Sequence, residues 1–102
     1  MDKLDCKRIK ELFLNEEFII SNHARSRMFQ RNVSTDDLKE AIQNSEIIES
    51  YPDDLPCPSI LLLGLVNGES YHVVVAQCND HARVITVYKP TKDKWHEDRI
   101  RM

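Results

Sequence analysis

"SILLLGLVNGESYHVVVAQC", residues 59 to 78, decides the fold. Two apolar runs flank Asn67-Gly68. A two-residue connection of this composition makes a type I′ turn, because both central residues need positive φ and Asn and Gly reach that region at little cost. The stretch therefore reads as a β-hairpin. The turn also sets the register: Val66 faces Glu69, and counting outward puts His72 opposite Leu63. Both strands are apolar on both faces, so helices must cover at least one face of the sheet.

Working outward, "NDHA" (79–82) is the next turn and "RVITVYK" (83–89) a further strand that ends at Pro90. Beyond Pro90 the tail offers Trp95 as an anchor and otherwise has a solvated pattern, with His96 exposed. Upstream, "PDDLPCP" (52–58) holds three prolines in seven residues and cannot be a regular element. "EIIESY" (46–51) is a short strand.

Before residue 46 the period becomes helical. "VSTDDLKEAIQN" (33–44) carries a start signal: Ser34 as N-cap, Asp37 three residues on, and Val33 and Leu38 as a hydrophobic staple. Asn44, which tolerates the left-handed conformation, ends that helix. Ser21 or Asn22 starts a preceding helix that runs to about Asn32. "EEFIIS" (16–21) is a short extended piece. Leu4, Ile9, Leu12 and Phe13 recur at helical spacing and predict a helix over about 3–14. The expected fold is thus α+β, with about three N-terminal helices packed on an antiparallel sheet of about four strands. All 102 residues form a single domain.

Hydrophobic residues make up 41% of the chain and charged residues 30%, which excludes a disordered chain and predicts a globular one. The longest apolar run, Ile60 to Val66, is far below the roughly 20 residues of a membrane span. With no apolar leader at the N-terminus either, a cytoplasmic protein without a membrane partner is expected. Cys6, Cys57 and Cys78 are few and odd in number, and indicate neither a disulfide scaffold nor a four-cysteine zinc site. Cys78 and His81 make an isolated C-x-x-H pair, which reads as a buried thiol beside a turn histidine. No metal and no other cofactor is expected.

The net charge of -3 hides a segregation. Residues 22–33 carry three arginines and no acid, 34–54 carry seven acids against one lysine, and 83–102 carry six basic residues against three acids. Within the first block His23, Arg27 and Arg31 recur every four residues and stack along one side of the helix. Ile20, Ala24 and Met28 have the same spacing, so the cationic row borders the apolar stripe. Two readings compete. The row can be a solvated face whose arginines pair with Asp36, Asp37, Glu46 or Glu49. It can also be a phosphate site, with planar donors for the oxygens and a histidine that titrates near neutral pH. The last strand supplies Thr86, Tyr88 and Lys89 as further polar groups, Thr86 and Tyr88 sharing one face. His72 alternates with Val74 and Ala76 and faces Leu63. It reads as a core or rim residue and a secondary candidate for substrate contact.

"HARSRMFQRNVS", "EIIESYPDDLPCPSILLLG", "HVVVA" and "ITVYKPTKDKW", in this order and spacing, resemble the domain-of-unknown-function family DUF4258 over about residues 22–95. Residues 1–20 and the tail 96–102 lie outside the resemblance. That family looks like a distant relative of RelE-like toxins of type II toxin–antitoxin systems, small α+β ribonucleases. The resemblance implies metal-independent RNA cleavage, an RelE-like arrangement of helices on a sheet, and an antitoxin protein as partner. It places a helix motif on His23 and Arg27, with Arg31 four residues on, and a strand motif on Thr86 and Tyr88. Cleavage without a metal needs proton transfer and cations for the phosphorane charge. His23, Arg27 and Tyr88 are therefore the expected catalytic residues, and Arg31, Thr86, Lys89 and His72 the expected substrate contacts. The rival expectation is a non-enzymatic interaction domain that pairs its cationic row with an acidic partner, including a second copy in a homodimer.

Overall fold

The computed structural model describes residues 6–90 and, for the backbone, 95–96 and 100–101. In chain order the elements are α1 (Cys6–Leu14), β1 (Phe18–Ile20), α2 (Asn22–Gln30), α3 (Thr35–Gln43), β2 (Glu46–Tyr51), β3 (Ser59–Val66), β4 (Glu69–Gln77), β5 (Ala82–Tyr88), β6 (Trp95–His96) and β7 (Ile100–Arg101). The α+β class is as expected. The sheet differs from expectation in two ways. It has five strands, in the order β1-β5-β4-β3-β2, and it is mixed, because β1 runs parallel to β5. Phe18–Ile20, within the short extended piece expected over residues 16–21, thus close the open edge of β5. Strands β6 and β7 form a separate two-stranded antiparallel ladder within the tail. The expected anchoring role of Trp95 and the exposure of His96 concern side chains outside the described residues.

The hairpin register is as the turn dictates. Asn67 and Gly68 have φ of 51° and 82°, Val66 pairs with Glu69, and Leu63 with His72. The start of α3 also matches its signal. Ser34 Oγ accepts from the Asp37 amide at 3.0 Å, and the Asp37 carboxylate accepts from the Ser34 amide at 3.1 Å. The helix ends are less regular than expected. Asn44 caps α3 with φ −106° and is not left-handed. Instead Asn32 takes φ 57°, which stops α2 at Gln30, short of the expected end.

All three helices lie on one face of the sheet. Ile9, Leu12 and Phe13 of α1, Ala24 and Met28 of α2, and Leu38, Ala41 and Ile42 of α3 form one buried cluster with Ile60, Leu62, Tyr71, Val73, Val75, Val84 and Val87. Burying such side chains is the main favourable term in folding, each worth ~1.5–3 kcal/mol. Helix α3 rides close over β3 at Gly64, where a Cβ would come within 2.8 Å of the Ala41 carbonyl oxygen. Lys10 Nζ donates to the Ser45 carbonyl and Gln43 Nε2 to the Lys10 carbonyl, tying α1 to α3.

The cysteines require a correction. Cys57 and Cys78 are joined in a disulfide, with Cα atoms 5.3 Å apart. The reason is geometric. The β3–β4 register continues past the strand ends, the Gln77 amide donates to the Pro58 carbonyl, and the next opposed positions are Cys57 and Cys78. Part of the proline-rich loop therefore extends the ladder. No helix among the described residues is long and apolar enough to cross a membrane.

Candidate nucleic-acid interface

The expected site residues fall into two groups on different sides of the molecule. His23 and Arg27 belong to α2 and Arg31 is its C-cap, on the helical side. Tyr88, Thr86 and His72 project from the sheet face that the helices leave free. The pairing shows why. Val87 faces the helical core and pairs with Val73, so its neighbour Tyr88 points the other way, beside His72. Thr86 pairs with Val74 on that same outer face. Tyr88 and Thr86 do share a face, but it is not the one on which α2 packs.

Helix α2 is positioned by its N-cap. Ser21 Oγ accepts from the Ala24 amide at 3.0 Å and donates to the Ile85 carbonyl at 2.9 Å, fixing the start of the helix on β5. Ala24 and Met28 then bury one stripe, and every other residue of the helix stands in solvent. Arg27 Nη1 donates to Gln30 Oε1 at 3.4 Å. Among the described residues, no carboxylate lies within ion-pair distance of His23, Arg25, Arg27 or Arg31. Two of the four carboxylates expected to neutralise them have other contacts: Asp37 caps α3 and Glu49 accepts from the Tyr51 hydroxyl. The helix therefore presents an uncompensated positive surface on a chain of net charge -3.

Phe29 belongs to the same surface, and sequence reasoning passed over it. It is 85% exposed, among the most exposed large apolar side chains described. Its signal was present in the spacing, since Phe29 stands one position after Met28 and off the Ile20–Ala24–Met28 stripe.

The outer sheet face has a different character. Three cross-strand rows run over it: Glu46–Leu63–His72–Tyr88, Glu49–Leu61–Val74–Thr86 and Tyr51–Ser59–Ala76–Arg83. Leu61, His72 and Ser59 are fully buried there. His72 Nδ1 lies 3.2 Å from the Tyr88 hydroxyl, and the two rings meet edge to face with centroids 5.1 Å apart. The strand partner that gives His72 a polar neighbour is β5, not β3. The hairpin turn fixes only the β3 neighbour of His72, whereas its β5 neighbour depends on a bulge at Ile85 that shifts the β4–β5 register.

The remaining expected contact, Lys89, forms an ion pair with Glu69 at 3.1 Å. Its charge is compensated, unlike those of α2. His81 is bonded to Asp80, and that hydrogen bond, followed by the backbone contact and the imidazole's charge, holds the Asp80 carboxyl below its usual range. An open cavity of about 910 Å³ lies between the disulfide and the start of α2, lined by Ser21, His81 and Arg83 among others. Among the described residues no cluster of three or more His, Cys, Asp or Glu is placed to hold a metal ion.

No curated protein and no solved structure matches the chain. The family model described as "Domain of unknown function (DUF4258)" matches residues 20–89, a span that runs from the last residue of β1, through α2, to the end of β5 and so takes in both groups of candidate residues. The chain belongs to that family.

Proposed function

We propose that the protein is a toxin-like, metal-independent endoribonuclease, akin to RelE-like toxins, that engages RNA through the outer surface of α2. The observation that carries this reading is the set of three arginines and a histidine on one helix and its C-cap without an acidic partner among the described residues. Uncompensated exposed cations repel one another, and a polyanion relieves that repulsion on binding. An acidic overall charge does not oppose this, because salt screens charges more than roughly 10 Å away and leaves the local ones to decide.

In this mechanism His23 takes the proton of a ribose 2′-hydroxyl. The oxygen attacks the adjacent phosphorus, the bond to the 5′-oxygen breaks, and the products are a 2′,3′-cyclic phosphate and a 5′-hydroxyl. The leaving oxygen receives its proton from the imidazolium or from water. Arg27 and Arg31 hold the charge of the phosphorane. Tyr88, engaged with His72 on the outer sheet face, has no part in this step, nor does Lys89, which is paired with Glu69. An antitoxin for such an enzyme would cover α2 with acidic side chains.

A second reading has its own support. Arginine does not titrate, so α2 offers one proton-transfer group where the reaction uses two. That favours a non-enzymatic domain that binds through α2 without cleaving. The two readings separate in one assay, RNA cleavage in the presence of a chelator. The enzyme reading expects products ending in a cyclic phosphate, and a loss of ~10²–10⁴-fold in rate for His23→Ala with folding intact. Binding without cleavage by the parent protein leaves the second reading, and equal cleavage by parent and variant removes His23 from the chemistry.

A further inference from the structure

The RNA-binding reading of α2 leaves open what form of RNA the helix takes, and Phe29 bears on that. One exposed apolar side chain means little alone, since folded proteins expose many. What distinguishes Phe29 is its company. Arg25 precedes it by four residues and so lies one helical turn away on the same flank. With 3.6 residues per turn, His23 and Arg27 fall on the opposite flank of the exposed surface, separated by a helix width of roughly 10 Å. Ser26 and Gln30 lie between the flanks, and both are exposed. The helix thus offers an aromatic face with an arginine on one side and a phosphate-binding group on the other.

We propose that, granted the RNA-binding reading, the ligand of α2 is single-stranded RNA, with an unpaired base stacked on Phe29 beside Arg25 and the backbone draped across Ser26 and Gln30 to phosphates held by Arg27 and Arg31. A duplex does not fit this surface. Its bases are stacked on each other and offer no free face to a side chain, so a duplex would use the arginines and leave Phe29 in water. A single strand has both features that the helix addresses: a flexible charged backbone and free π-faces, which tolerate any base. The arginine beside the ring adds a cation–π contact to the stacked base. A protein partner of matching chemistry would be acidic and apolar, and it is the outcome against which the test must discriminate.

The test uses the full chain and fluorescein-labelled 2′-O-methyl oligoadenylate, oligouridylate and their duplex, whose sugars lack the attacking hydroxyl. Binding is read by anisotropy at several salt concentrations. The expected result is single-strand binding that Phe29→Ala weakens roughly 5- to 150-fold and Phe29→Trp retains, with the weaker duplex binding unchanged by either. Equal affinity for single strand and duplex, or no effect of Phe29→Ala, overturns the inference while the RNA reading stands. No binding of any oligonucleotide overturns the RNA reading itself and the inference with it. A change of oligomeric state in Phe29→Ala by sedimentation, with RNA affinity unaltered, assigns Phe29 to a protein contact and also overturns the inference.

Discussion

The outer surface of α2 and the outer face of the sheet each combine a histidine with hydrogen-bonding or charged neighbours, yet they are opposites. On α2 the imidazole of His23 and three guanidiniums stand in solvent, and the only described polar contact among their side chains is that of Arg27 to Gln30. On the sheet face His72 is fully buried and held by Tyr88. The comparison teaches that residue type does not assign a role. A buried polar group must be hydrogen-bonded or it costs stability, so partners are expected around it whatever its function. An exposed cation has no such requirement, and its lack of an acidic partner leaves it able to bind an anion from outside. On the proposed reading the sheet face is a structural element, and α2 the surface open to a ligand.

This contrast can be broken at several points. The largest effect is expected at His23. His23→Ala should lower RNA cleavage by ~10²–10⁴-fold while thermal unfolding stays within experimental error of the parent. A matching loss from His72→Leu at unchanged stability would transfer the chemistry to the sheet face and reverse the comparison.

Next comes the disulfide. The paired substitution Cys57→Ser and Cys78→Ser, or reduction, should lower the unfolding free energy by about 3 kcal/mol, the loop-closure value for a bridge spanning some 20 residues. RNA affinity measured under native conditions should not change, because the bridge lies outside α2. Denaturant titration and anisotropy on the same samples check both halves.

A smaller effect separates packing from polarity on the sheet face. His72→Leu and Tyr88→Phe should each cost about 1–2 kcal/mol in denaturant unfolding, and the double variant less than the sum, since both lose one shared contact. Strict additivity would mean that the 3.2 Å contact contributes nothing and that the two side chains matter independently.

The smallest effect belongs to Lys89. Its pair with Glu69 is between half-exposed side chains, so Lys89→Ala should alter stability by less than ~1 kcal/mol and leave RNA affinity untouched. A weakening of RNA binding comparable to that of Arg27→Ala would show that the ligand reaches the end of β5 after all, and would join the two regions into one site.

How far the sequence discloses these features depends on the range of the interaction behind each. The Asn67-Gly68 turn and the Ser34–Asp37 capping box involve residues within three positions of one another, and both are present as their signals indicated. The opposition of Cys57 and Cys78 was also implicit, because the register that pairs Ser59 with Ala76 reaches the cysteines two residues later. Three prolines concealed it by marking the segment as loop. The cationic row of α2 was legible in its spacing, and so was the position of Phe29 off the buried stripe. That no carboxylate among the described residues approaches those arginines was not legible, since seven acids follow close behind in the chain.

By itself, then, the amino-acid order determined the three helices, the strands β2 to β5 and the central hairpin, because helical periodicity, caps and tight turns are settled between near neighbours. Only the tertiary structure decided that β1 lies parallel to β5, that a bulge at Ile85 brings Tyr88 beside His72, and that α2 keeps its cations apart from the acidic segment. Each of these joins residues distant in the chain or in register, and such contacts are chosen by the packing of the whole core, not by the identity of the residues that meet.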